Sequence, residues 1–304
     1  MISENNNLKE LWEIHTFGTS FTKGGGFEFR NNPLLKEFYK NYRVPKIQFN
    51  FSWPGQLQEI LHEDFKKTKV FNHAESGYGH EKTIRDCHKI ILENKDNLHD
   101  KLFILEFGGF GRKDHHINEL GYIISNYHFE SKNNDFLFVV DDDDEDVKVV
   151  THGIAKKYHE DDEELKNKIK NIEPIISNFN SETIEFKTVQ NQMGIEICNF
   201  VGFLNTLGVN YLICSAPFMS YEHSIHFSKL WKGKRVIYTT QDGDKDFDMY
   251  GFLFKSKLRI EDETNGLIKD GHGGYKGNKE IAKQIYEKMQ ENYSFPSHDK
   301  KNEI

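Results

Sequence analysis

Apolar positions recur along this chain with two different periods, and the switches between them mark out its elements. Leu11-Trp12-Glu13-Ile14-His15-Thr16-Phe17 is a short apolar-rich run stopped by Gly18, the pattern of a strand. The spacing predicts a short helix from Asn32 to Tyr39, and a second from Leu57 to Phe65 that is entered through Ser52-Trp53-Pro54-Gly55. Lys69-Val70-Phe71-Asn72 reads as a strand. From His80 to Leu98 the apolar positions Ile84, Cys87, Ile91 and Leu92 return to helical spacing. Lys101-Leu102-Phe103-Ile104-Leu105-Glu106-Phe107 is a continuous apolar run of the kind buried on both faces, and it ends at Gly108-Gly109. The same alternation resumes late in the chain. A helix is predicted from Ile195 to Leu207, strands at Val209–Cys214 and Arg235–Tyr238, and an amphipathic helix from Lys279 to Tyr293.

Strands and helices that alternate through short Gly-containing turns predict an α/β protein with a parallel sheet covered on both faces. Between the two halves, Tyr127 to Gln190 is different. It holds the run Asp141-Asp142-Asp143-Asp144-Glu145-Asp146 and a charged stretch from Lys156 to Lys170. This region reads as an insertion, with a hairpin around the acidic run followed by a charged helix. Residues 10–294 are then one domain carrying the insertion 127–190, with flexible termini at 1–9 and 295–304.

Composition narrows the function classes. The 304 residues carry a net charge of −8, much of it in the inserted region. A field of that sign opposes nonspecific binding to nucleic acid or anionic lipid. No apolar run approaches the roughly 20 residues of a membrane span, and Met1 to Lys9 lacks the layout of a signal peptide. The three cysteines, Cys87, Cys198 and Cys214, are odd in number and far apart, so reduced thiols in a cytoplasmic setting are expected. Lys/Asn/Ile-rich usage points to an AT-rich genome, and a viral coding origin is open.

Three segments place chemistry at strand ends or in late loops, where α/β sheets hold ligands. Gly18-Thr19-Ser20-Phe21-Thr22-Lys23-Gly24 follows the first strand, and a serine there can aim its hydroxyl and its amide into the crevice. Asn72-His73-Ala74-Glu75-Ser76-Gly77 follows the second; the bare Gly77 amide is open to a substrate oxygen. Asp270-Gly271-His272, with Gly277 and Ile281-Ala282 beyond it, sets an imidazole beside a carboxylate. Each alone is equally an ordinary turn.

In order, however, they resemble the sequence blocks of the SGNH (GDSL-type) hydrolase superfamily. Gly18, Ser20, Thr22 and Gly24 match its first block, with Thr19 where Asp is usual. Asn72, Ala74, Ser76 and Gly77 match the second. His272, Gly277, Ile281 and Ala282 keep the register of the last, with Asp270 two residues before the histidine rather than three. The third block, Gly-x-Asn-Asp, is the departure: Glu106-Phe107-Gly108-Gly109-Phe110-Gly111-Arg112-Lys113-Asp114 offers no Asn.

The resemblance implies a three-layer α/β/α flavodoxin-like fold with a mainly parallel sheet. It implies Ser20 as nucleophile, His272 as base and Asp270 as its orienter. The backbone amides of Ser20 and Gly77 are the implied oxyanion donors, and Arg112 is the candidate to replace the missing Asn. The expected activity is that of a serine esterase on a carbohydrate or other small ester, through an acyl-serine, without cofactor or metal. Two alternatives stay open: an O-acyltransferase on the same site, suggested by the Asp-x-His form, and a non-catalytic binding or assembly module, suggested by the missing Asn. Thr19 is expected to be structurally tolerated, and Arg112 is equally able to pair with Asp114 or Glu106.

Other constellations carry less. Asp242-Gly243-Asp244-Lys245-Asp246-Phe247-Asp248 begins like a calcium loop but lacks Gly at its sixth position. His115-His116 and His223-x-x-His226, with Asp114 and Glu222 beside them, lack the spacing of a zinc set.

Overall fold

The computed structural model describes residues 13–27, 33–42, 47–64, 68–76, 79–107, 112–117, 121–128, 133–140, 148–151, 186–215 and 249–293. In chain order these hold β1 (Glu13–Phe17), α1 (Ser20–Lys23), α2 (Pro33–Phe38), α3 (Gln48–Phe51), α4 (Trp53–Asp64), β2 (Lys69–Asn72), α5 (His80–Glu93) and β3 (Lys101–Glu106). There follow β4 (Arg112–Ile117), β5 (Gly121–His128), β6 (Asn133–Val140), β7 (Lys148–Thr151), α6 (Phe186–Leu207), β8 (Asn210–Ser215), α7 (Met249–Lys255), α8 (Ile260–Glu263) and α9 (Tyr275–Asn292).

The main sheet has the order β2-β1-β3-β8, and every neighbouring pair is parallel. Alternation along each strand sends side chains to two separate cores. On one face Ile14, Leu102, Ile104, Leu212 and Cys214 meet Trp53, Leu57 and Leu61 of α4, Met249 and Leu253 of α7, and Ile281, Ile285 and Met289 of α9. On the other, Phe17, Phe103, Leu105, Tyr211 and Ile213 meet Cys87 and Ile91 of α5 and Met193, Ile197, Val201 and Leu204 of α6. The result is the expected three-layer α/β/α arrangement in a flavodoxin-like order. Burying one such Leu or Ile side chain contributes roughly 1.5–3 kcal/mol. None of the three cysteines is in a disulfide; Cys87 and Cys214 are buried, one in each core.

Several boundaries differ from the sequence reading. α4 begins at Trp53, four residues before the predicted start, and Ser52 Oγ caps it by accepting the Gly55 amide at 3.3 Å. α6 begins at Phe186 rather than Ile195. α9 begins at Tyr275 rather than Lys279, because Glu263 accepts the amides of Tyr275, Lys276 and Gly277 at 3.1, 2.7 and 3.3 Å. α5 stops at Glu93, and a 3₁₀ turn at Leu98–Asp100 leads into β3.

The largest difference is a second sheet, antiparallel, of order β4-β5-β6-β7. Its pairing begins at Arg112, which faces Asn126, well ahead of the predicted insertion at Tyr127. β6 and β7 pair antiparallel on either side of the acidic run, Val140 opposite Lys148. The charged stretch Lys156 to Lys170, the strand predicted at Arg235–Tyr238, the loop 242–248 and His223/His226 lie outside the described residues, as do both termini. Among the described residues, no helix is long and apolar enough to cross a membrane.

Candidate functional site

In a sheet of order 2-1-3, the chain leaves β1 toward one side and returns on the other, so a crevice opens beyond the carboxyl ends of β1 and β3. Ser20 stands there, on the first turn after β1. Its turn is short because Gly24 closes it in the left-handed conformation (φ 88°), returning its amide to the Ser20 carbonyl. Thr19 is the N-cap, its hydroxyl accepting the Phe21 amide at 3.4 Å.

Asp270 and His272 arrive from a late loop that is strapped to the start of α8. Ile260 N–H donates to the His272 carbonyl at 2.8 Å, Glu261 N–H to the Asp270 carbonyl at 3.1 Å, and Gly274 N–H to the Leu258 carbonyl at 2.8 Å. Behind it, half-buried Glu263 caps α9 and accepts the Tyr39 hydroxyl at 2.9 Å. Burial pushes the Glu263 carboxyl up from its ordinary range.

The two segments meet across 252 positions of sequence. His272 Nε2 lies 2.8 Å from Ser20 Oγ, and His272 Nδ1 lies 2.7 Å from Asp270 Oδ1. The Asp270 oxygen also accepts the His272 amide at 2.8 Å, which fixes the ring's direction. A carboxylate can only accept, so Nδ1 carries the proton, and Nε2 is left to accept the Ser20 hydroxyl. Burial alone would raise the Asp270 carboxyl; the His272 ring and amide outweigh it and hold it below the usual carboxylate range. The pair remains reachable, with 29% of the His272 side chain and 25% of Asp270 exposed. The Phe21 ring packs against the imidazole at 4.9 Å. On its other side Gly25 leaves no room: a Cβ there would sit 2.7 Å from His272 Nε2 and 2.9 Å from Ser20 Cβ.

The segment after β2 is tied to the serine turn. Asn72 Nδ2 donates to the Thr22 carbonyl at 3.0 Å, its Oδ1 accepts the Ala74 amide at 3.1 Å, Glu75 N–H donates to the Gly18 carbonyl at 3.2 Å, and Lys23 pairs with Glu75. Gly77 itself lies outside the described residues. Arg112 opens β4, and its side chain also lies outside them. Among the described residues, the Glu106 carboxylate accepts from Thr19 and Thr22. Sequence reasoning missed Glu106, Gly25 and the Lys23–Glu75 bridge. The one available signal was an acidic residue closing an otherwise apolar strand.

Next to the site, His15 Nδ1 and His73 Nε2 share a hydrogen bond of 2.9 Å, and both rings stack among Phe17, Phe71 and Phe103. Burial, and then the neighbouring His15, push His73 down to about 4. Among the described residues, one group could hold a cation: His80, Glu81 and Glu196, whose donor atoms lie within 4.8 Å of one another. His80 Nε2 donates to Glu196 at 2.6 Å there, while His80 Nδ1 is buried without a hydrogen-bond partner among the described residues.

No family model and no curated protein matches the chain. It is similar to several solved structures. The crystal structure of TesA is 9% identical, with 92% of this chain and 98% of that chain covered and a TM-score of 0.40. The psychrotrophic esterase EstA from Pseudoalteromonas sp. is 10% identical, with 92% and 97% covered and a TM-score of 0.39. A member of the lipolytic protein G-D-S-L family from Veillonella parvula DSM 2008 is 12% identical, with 90% and 96% covered and a TM-score of 0.38. Likenesses of this size say nothing of activity, which has to be read from the chain's own geometry.

Proposed function

We propose that this protein is a serine ester hydrolase of the SGNH (GDSL-type) kind, acting on a carbohydrate or other small ester through an acyl-serine intermediate. The reading is supported by the unbroken chain Ser20 Oγ–His272–Asp270, at 2.8 and 2.7 Å, opening on the crevice of a parallel sheet. A hydroxyl with a bare pKa far above neutrality becomes a nucleophile when a base is already bonded to it. Here the base holds its acceptor nitrogen toward the hydroxyl because Asp270 holds the proton on the other nitrogen.

The steps follow from those positions. Ser20 Oγ attacks the ester carbonyl while His272 Nε2 takes its proton. The imidazolium then returns that proton to the leaving alkoxide as the C–O bond breaks, which releases the alcohol. A water repeats the sequence on the acyl-serine, giving the acid and restoring Ser20. The tetrahedral oxygen needs donors. The Ser20 amide is suited to this, since among the described residues it has no acceptor while the Thr19, Phe21 and Thr22 amides are occupied. Gly77 N–H and Arg112 are the proposed further arms. Losing one oxyanion donor, as the missing Asn implies, costs roughly 10²–10³ in rate without changing the route.

Hydrolysis of short-chain p-nitrophenyl esters tests the reading. Turnover by the wild type that is lost in Ser20→Ala supports it. Equal turnover by both would refute the nucleophile, and inactivity together with no labelling by a fluorophosphonate would favour a non-catalytic role.

A further inference from the structure

Beneath the serine turn lies a carboxylate that the proposed reaction does not use. Glu106, the last residue of β3, is 3% exposed. Its oxygens accept four hydrogen bonds, all from two residues that flank Ser20. Thr19 gives its amide at 3.0 Å and its hydroxyl at 2.5 Å; Thr22 gives its amide at 3.1 Å and its hydroxyl. Each hydroxyl is itself oriented from behind. Thr19 Oγ accepts the Phe21 amide, and Thr22 Oγ accepts the indole N–H of buried Trp53 at 3.2 Å, so both hydroxyl protons are directed at Glu106. The β3–β8 ladder slips between Leu105 and Glu106, and an irregularity of that kind re-aims the side chain at a strand end. Gly18 is bare where the carboxylate passes: a Cβ on it would sit 2.5 Å from Glu106 Oε2.

We infer that Glu106 is the positioning residue of Ser20. It clamps the turn at positions 19 and 22, which aims Ser20 Oγ at His272 and leaves the Ser20 amide as the one first-turn donor facing the crevice. A four-residue helix has too few internal bonds to hold such a direction by itself. Four donors converging on one buried acceptor can, because each donor loses its partner if the turn rotates. The inference rests on the proposed reaction of Ser20.

The test is the rate at which a fluorophosphonate labels Ser20, read by intact mass and by the labelled peptide, with thermal unfolding of every variant alongside. Wild type and Ser20→Ala first establish that labelling occurs at Ser20. Glu106→Gln keeps the shape but turns one acceptor into an NH₂ group facing donors. The folded variant is expected to show a maximal labelling rate lower by about 10- to 100-fold, with the reagent's half-saturating concentration and the pH midpoint of labelling unchanged. Leu204→Ala, on the buried face of α6, is expected to lose comparable thermal stability yet label at the wild-type rate. If Glu106→Gln does not fold, Thr22→Val removes one hydroxyl donor to Glu106 while keeping the Thr22 amide and the Thr19 cap, and is expected to slow labelling by about 3- to 10-fold.

A wild type that labels, with folded variants within about twofold of it, would overturn the positioning role alone. A wild type that does not label at Ser20 would overturn the reaction, and this role with it.

Discussion

Gly25→Ala isolates the geometry of the Ser20–His272 contact from everything else at the site. Gly25 has no positive φ, so alanine suits its backbone and the perturbation is the added methyl alone. That methyl would lie 2.8 Å from His272 Cδ2 and 2.7 Å from Nε2. An ordinary carbon contact is about 3.5 Å, so the ring must retreat by about 0.7 Å. The ring cannot swing freely, because Asp270 holds Nδ1 and the His272 amide together, and Phe21 backs the ring. A retreat directed away from Ser20 lengthens the 2.8 Å bond by up to that amount, to at most about 3.5 Å, beyond the range of an O–H donor to nitrogen. A displacement approaching 1 Å costs about 10²-fold in rate. Thermal stability should hardly change, since His272 is partly exposed and no core contact is lost. The assay is p-nitrophenyl ester turnover, or fluorophosphonate labelling, beside a thermal melt. A folded Gly25→Ala with the wild-type rate would refute the claim that the 2.8 Å contact is the working one.

Further outcomes are expected elsewhere. Asp270→Ala frees the imidazole to change tautomer and should lower turnover by about 10²–10⁴-fold with little change in KM, measured by steady-state kinetics. Folded His73 binds its proton only near pH 4 against an ordinary 6.5, so the unfolded chain takes up more protons between those values. Stability is therefore retained above pH 6.5 and lost as pH falls toward 4, by about 3 kcal/mol at about 1.4 kcal/mol per unit. Urea unfolding at pH 7.5 and pH 4.5 reads this, and His73→Gln should flatten the slope. Glu263→Ala removes the acceptor of three α9 amides and of the Tyr39 hydroxyl, and should cost at least about 2 kcal/mol in urea unfolding.

The legibility of the chain follows the range of the forces involved. β1, β2, β3 and β8 were readable because their apolar runs are local signals, sharpened by Gly18 after β1 and Gly108-Gly109 after β3. The meeting of Ser20 with His272 was legible only through the order of the SGNH-like blocks, since each segment alone is equally an ordinary turn and nothing local ties two positions so far apart. β4 was not: Arg112-Lys113-Asp114-His115-His116-Ile117 has no alternation, and it is a strand only because β5 pairs with it. The early start of α9 was hidden because its cap, Glu263, comes from another element and Gly274 offers no side chain. The same holds for Glu106. A carboxylate at the end of an apolar strand reads as the point where the strand meets water, whereas its four donors lie 84 and 87 positions earlier.

The antiparallel sheet has a bearing on how the protein is made. β3 pairs with β1 on one side, but its other edge waits for β8, which lies beyond all of β4 to β7. Roughly 100 residues separate the two, so at 5–20 residues per second the ribosome needs about 5–20 s to deliver the second partner. Through that interval an almost wholly apolar strand, Leu102 to Leu105, presents unpaired amides and carbonyls to the cell. The nascent chain is thus most exposed to misassociation in mid-synthesis. Asp270 and His272 follow Ser20 by about 250 positions, so the Ser20–His272 contact cannot form until β8 and the segment beyond it have also emerged.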